Sequence, residues 1–132
     1  TMFAQRELRK IEEPLQEGEE ILLHVDGADI QVQMLSGSKL HFSTPVYRGG
    51  NYIPHSVREA IKRKHAFCIA TMRTSFHLDE THFAIWLHYV GVSDRLSAEI
   101  MKDLVQEFGE IASQWRCYLD EQDRNDLVRV PG

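Results

Sequence analysis

The sequence predicts an α+β fold in the order αβββαββα, with a five-stranded, mainly antiparallel sheet flanked by three helices. Three observations predict it. The apolar residues near both ends recur every three or four positions, as on one face of a helix. Two stretches in between alternate apolar and polar residues with the period of a strand. The breaks between these stretches carry turn residues, Asp26-Gly27, Ser36-Gly37-Ser38 and Asp79-Glu80-Thr81.

A first helix is expected from Phe3 to Glu17. Ala4, Leu8, Ile11 and Leu15 form its apolar stripe, and Arg6, Glu7, Arg9, Lys10, Glu12 and Glu13 lie on its wet side. Pro14 lacks an N–H and ends or kinks it. Three strands follow. Glu20–Val25 ends at Asp26-Gly27, and Ile30, Val32 and Met34 alternate with Gln31, Gln33 and Leu35. Leu40 and Phe42 mark the third strand, with His41 and Ser43 on its other face, until Pro45 interrupts. Gly49-Gly50 is a loop. His55-Ser56 is expected to cap a short helix running to Lys64, in which Val57, Ala60 and Ile61 share a face.

Two more strands, Phe67–Phe76 and Phe83–Val90, are apolar on both faces, the pattern of strands central in a sheet or buried in a subunit contact. A long helix begins after Ser93, with Leu96, Ile100, Leu104, Phe108, Ile111, Trp115 and Leu119 as its stripe. Roughly 28 residues at about 1.5 Å each give about 42 Å, more than so small a sheet needs. The chain therefore divides into one domain over 1–122 and a polar tail over 123–132.

The chain has 132 residues, 42% hydrophobic and 27% charged, which is ordinary for a globular domain and excludes a disordered or collagen-like chain. The net charge of −5 argues against nucleic-acid binding as its main task. Charge is uneven: residues 1–50 carry 5 basic and 8 acidic groups, 51–91 carry 5 and 3, and 92–132 carry 5 and 9. A slightly basic middle thus lies between acidic arms. Cys68 and Cys117 are far apart and fit free thiols in a reducing compartment. No membrane span or signal-peptide core is visible, and Met2 after Thr1 reads as the natural start. The expectation is a soluble, acidic, cytoplasmic protein.

Chemistry-bearing motifs are scarce. His77, Asp79, Glu80 and His82 gather at one turn, where imidazole and carboxylate suit zinc or iron, but without a recognised ligand spacing. Cys68 lies in an apolar strand, where burial blunts a thiol. No nucleophile elbow, phosphate-binding glycine loop or HExxH motif occurs. Catalysis is therefore not expected, nor is any metal or cofactor. The cluster Lys62-Arg63-Lys64-His65, with Arg58, suits a helix C-terminus. Apolar surface exceeding what the domain itself covers points instead to an interface.

With its length and acidic composition, this order of elements resembles the class I chaperones of bacterial type III secretion. The resemblance runs from about Phe3 to Leu119 and rests on pattern: Leu8, Ile11 and Leu15 in the first helix; Val57, Ala60 and Ile61 in the middle one; Ile69, Ile85 and Leu87 in the strand pair; and the Leu96–Trp115 stripe. It implies a type III secretion chaperone-like fold and binding without catalysis. The implied partner is an extended segment of a secreted, effector-type client, kept secretion-competent by a homodimer or a heterodimer with another small chaperone. Carried over by position, Leu8, Ile11, Leu15, Ile30, Val32, Met34 and Phe42 are client-binding candidates, and Val57, Ala60, Ile61 and Ile85 are dimer candidates. Pro14 and the long last helix depart from the family pattern. Some family members also act on transcription, which leaves RNA polymerase or a sigma factor as an alternative partner. A PAS-like or profilin-like sensor suits the same elements, and would enclose a ligand cavity lined by Met72 and Trp86.

Overall fold

A computed structural model describes residues 3–13, 15–63, 72–92 and 96–129, the last of these by backbone alone from 126. The elements are α1 (Gln5–Glu12), β1 (Glu20–Val25), β2 (Ala28–Leu35), β3 (Lys39–Arg48), α2 (His55–Ala60), β4 (Thr74–Asp79), β5 (Ala84–Val92) and α3 (Ala98–Arg129). This is the predicted αβββαββα order. The five strands form one antiparallel sheet in the order β1-β2-β3-β5-β4.

The hairpins follow their turn residues. Asp26 and Gly27 both take positive φ, 52° and 76°, in a two-residue turn whose twist matches the strands it joins. Gly37 and Ser38, also at positive φ, close the β2–β3 loop. In the β4–β5 loop the Asp79 carboxylate accepts hydrogen bonds from the backbone N–H groups of Thr81 and His82, each at 3.1 Å. Between β3 and α2, Gly49 sits where any side chain would overlap the Tyr52 carbonyl, while its N–H donates to the Phe83 carbonyl. A close approach of backbones, rather than a positive φ, requires glycine there.

The core lies between one sheet face and α3. Leu23, Val25, Ala28, Ile30, Val32, Met34, Leu40, Phe42, Val46, Ile85 and Leu87 are buried against Met101, Val105, Phe108, Ile111, Ala112, Trp115 and Leu119. Phe42 meets Phe108 edge-on and Tyr89 at a tilt, each at a ring-centroid distance of 5.5 Å, and Phe76 meets Trp115 edge-on at 4.7 Å.

Several boundaries differ from expectation. Helix α1 is shorter than Phe3–Glu17, its last helical residue lying two before Pro14, which is itself outside the described residues. Helix α2 stops at Ala60, and its N-cap is Pro54; Ser56 donates instead to the Gln122 carbonyl of α3 at 3.4 Å. Strand β4 begins only at Thr74; Cys68 and Ile69 are outside the described residues. It is also an edge strand, so its apolar sequence does not mark a central one, whereas β5 is central.

Helix α3 starts at Ala98 and continues through Arg129, so the division at residue 122 falls inside a helix rather than at the start of a tail. Its buried stripe also differs. Ile100 is 46% exposed and Leu96 and Leu104 are half-buried, while Met101 and Val105 face the sheet. Successive spacings of four, as from Leu96 to Ile100 to Leu104 to Phe108, drift about 40° per step around a helix of 3.6 residues per turn. The alternation through Met101, Val105 and Phe108 keeps to one face.

Candidate interaction surfaces

Eleven residues were expected to meet partners, and the structure divides them by burial. Ile30, Val32 and Phe42 are fully buried and Met34 nearly so, all beneath α3. They form this chain's own core and are not open to a client. Ile11 is 4% exposed and anchors α1 to the same core. Leu8 and Leu15 are half-buried. Of the dimer candidates, Val57, Ala60 and Ile85 are buried within the chain, and only Ile61 is partly accessible. Helix α3 accounts for most of these corrections: it covers the sheet face that carries Ile30, Val32, Met34, Phe42 and Ile85, and it reaches α2, whose apolar face was expected to meet a partner.

What remains open is the sheet face away from α3. By strand register it presents Leu22 and His24 of β1, Gln31 and Gln33 of β2, His41 and Pro45 of β3, Trp86, His88, Val90 and Val92 of β5, and Ser75 and His77 of β4. Leu22, Val90 and Val92 are among the exposed large hydrophobic residues.

Three histidines cross this face diagonally. His41 Nε2 lies 2.8 Å from His88 Nδ1, and the His77 ring stands 6.0 Å from that of His88, edge-on. Burial pushes the His41 pKa below its ordinary value; burial, and then the neighbouring His41 and His77, do the same for His88. The fold thus prefers both imidazoles neutral. Their contribution to stability is whole above the unfolded value near 6.5 and is lost as pH falls through the lower folded values. The melting temperature is expected to fall between pH 6.5 and 5 more steeply in the native protein than in a His41→Gln/His88→Gln variant. An equal or shallower slope in the native protein overturns this.

The turn that gathered potential metal ligands is occupied by other pairings. Glu80 receives a bidentate bond from Arg58 at 2.8 and 3.0 Å, and Asp79 pairs with His82 at 2.8 Å. Among the described residues no group of three or more His, Cys, Asp or Glu is arranged to hold a metal. His24 pairs with Asp29 across β1 and β2.

A cleft of about 380 Å³ opens at the β1–β2 turn, lined by Gly27, Asp29, Pro45, Val46, Tyr47, Arg48, Arg116 and Asp120. Neither Met72 nor Trp86 lines it, so it is not the cavity expected of the sensor reading. At its wall the Tyr47 phenol donates to Asp123, and its pKa is pushed up to about 12 by burial first, then by the charge of Asp123 and that hydrogen bond. Unfolded, this group titrates near 10. The preference for the neutral phenol is therefore whole below pH 10 and is lost between 10 and about 12. Alkaline unfolding should begin in that window, and Tyr47→Phe should flatten it. An unchanged alkaline profile in the variant would show that Tyr47 does not carry this pH dependence.

Helix α1 lies along the β1 edge, and here sequence reasoning missed two residues. Glu7, assigned to the wet side, is 2% exposed, and Lys10 is half-buried. The Glu7 carboxylate accepts the His24 backbone N–H at 3.1 Å, Lys10 Nζ donates to the Leu22 carbonyl at 2.7 Å, and the two side chains stand 3.7 Å apart. One available signal was that Glu7 stands one turn before Ile11, beside the apolar stripe; Lys10, about 100° round the helix from Ile11, gave none.

Neither the protein-family models nor the curated proteins hold a match to this sequence. Among solved structures, a chain of the crystal structure of the ExsC–ExsE complex has the same fold. The likeness has a TM-score of 0.61 at 14% identity, and covers 89% of this chain and 97% of that one. The α+β, type III secretion chaperone-like fold expected from the order of elements is thus the fold observed. No helix among the described residues is long and apolar enough to cross a membrane.

Proposed function

We propose that this protein is a type III secretion chaperone that holds an extended segment of a secreted client protein, and that it acts by binding rather than catalysis. The observation that carries the reading is the shared fold over 89% of the chain with a protein solved in a two-protein complex. The partly accessible apolar flank of α1, with Leu8 and Leu15, supports it as the client-contacting side. A second copy, or another small chaperone, docks on the open sheet face around Val90 and Val92, which are 53% and 76% exposed on neighbouring outward positions of a central strand.

The test is affinity purification from the native cell, with mass spectrometry of what is retained, followed by the same experiment on a Leu8→Asp/Leu15→Asp variant. A secreted protein retained by the native chain, and reduced at least tenfold by the variant, supports the reading. Retention of polymerase subunits without a secreted protein overturns it, as does retention indifferent to the substitutions.

A further inference from the structure

His41 of β3 and His88 of β5 stand diagonally on the open sheet face, His41 opposite Val90 and His88 opposite Ser43. Diagonal neighbours on one face of an antiparallel pair are within reach of long side chains. Here the rings meet. His41 Nε2 lies 2.8 Å from His88 Nδ1, and the ring centroids are 4.9 Å apart with 35° between the planes.

One shared proton accounts for this contact, but the same spacing suits a metal ion. Two imidazole nitrogens bonded to one ion at about 2.0–2.1 Å, and at about 90° to each other, stand about 2.8–3.0 Å apart. Their ring centroids are then about 4.5 Å apart, or about 5 Å at a tetrahedral angle. Both observed separations are therefore those of neighbouring ligands, and a tilt of the rings turns the two nitrogens toward a common point. His77 stands outside this pair, its ring 6.0 Å from that of His88 and nearly perpendicular to it.

The proton has somewhere to go. The ring that donates in the metal-free pair keeps its proton by moving it to its other nitrogen, His41 Nδ1 or His88 Nε2, with no net loss. Among the described residues neither of these is a buried atom left without a partner, so either can hold the proton toward water. The donor set also selects the ion. The residues opposite the pair in register, Gln33, Ser43, Ser75 and Val90, are uncharged and bring no carboxylate. Calcium and magnesium seek oxygen ligands, whereas imidazole suits nickel, copper and zinc.

We infer that His41 Nε2 and His88 Nδ1 together form a binding site for one divalent transition-metal ion of the nickel, copper and zinc group, with water completing its coordination. Bound there, the ion joins β3 to β5, which α2 and β4 separate in the chain. The site rests on the geometry of the two rings and not on the chaperone reading.

Nickel is the probe, because it broadens nearby NMR signals and, unlike cupric ion, is not reduced by a thiol such as the exposed Cys117. When the full chain is titrated with nickel chloride, the amides of His41 and His88 should broaden first. Calcium chloride should leave them unchanged. Calorimetry should give one nickel per chain, bound about tenfold or more weakly by His41→Gln and by His88→Gln. His77→Gln should stay within about threefold of the native protein. Nickel should also raise the melting temperature of the native protein and of His77→Gln, but not of the other two variants. If one glutamine variant does not fold, the other decides, since each removes one of the two ligands.

Broadening centred on His24, His55 or His82 overturns the site, as does affinity indifferent to both substitutions in the pair. A loss in His77→Gln equal to that in His41→Gln overturns the two-ligand assignment. Calcium binding at the same amides overturns the selectivity.

Discussion

Phe42→Ala is expected to destabilise the fold by about 3–5 kcal/mol, the range for removing a large aromatic side chain from a packed core. Phe42 is fully buried and joins three elements at once: it belongs to β3, meets Tyr89 of β5 at a tilt, and meets Phe108 of α3 edge-on. No other ring in the core bridges the sheet centre to the long helix in this way among the described residues. A domain of this size has a total stability of about 5–15 kcal/mol, so the loss consumes a large share of it. The melting temperature should fall by roughly 10–20 °C, read by circular dichroism. Phe42→Leu, which keeps most of the volume, should cost no more than about half as much. A loss in Phe42→Ala below about 1 kcal/mol would show that the core collapses around the missing ring, and that α3 is not held through this contact.

The same residue shows how far the sequence could be read. Alternation placed Ile30, Val32, Met34 and Phe42 on one sheet face, which is where they are. It could not say what covers that face. Periodicity marks a face as apolar without distinguishing the chain's own helix from a partner, so these residues were expected at a client and lie beneath α3. The dimer candidates moved for the same reason, because α3 reaches α2 and buries Val57 and Ala60. The number and order of elements were legible because their signals are local: turn residues at the hairpins and helical spacing at both ends. The outward trio of His41, His77 and His88 was not legible, because it depends on the pairing of β3 with β5, which α2 and β4 separate in sequence, and on the register of the β4–β5 hairpin. Nor was the role of Glu7. A charged residue beside an apolar stripe is ordinarily solvated, and only the proximity of an unpaired strand edge makes its burial favourable.

Ile11→Asp gives the second large effect and separates folding from recognition. Ile11 is the buried apolar anchor of α1, 4% exposed and part of the main core cluster. An aspartate there is either a carboxylate without a partner in an apolar site or a carboxyl kept neutral at the expense of its ordinary acidity. Either way the cost is several kcal/mol, and it falls first on α1. As α1 detaches, Glu7 and Lys10 leave the β1 edge, so the His24 amide should lose protection and the chain should associate through its bared strand at high concentration. Any loss of client binding in this variant then follows from the loss of α1. Leu8→Asp and Leu15→Asp alter half-buried positions on the same segment and should shift the melting temperature much less. The expected pattern is a large stability loss with Ile11→Asp and a small one with the two leucine variants, measured by thermal unfolding and sedimentation. A melting temperature in Ile11→Asp within a few degrees of the native value would show that α1 contributes little to the fold. The β1 edge would then be free to open, and Ile11 would return to the candidates for the proposed client contact.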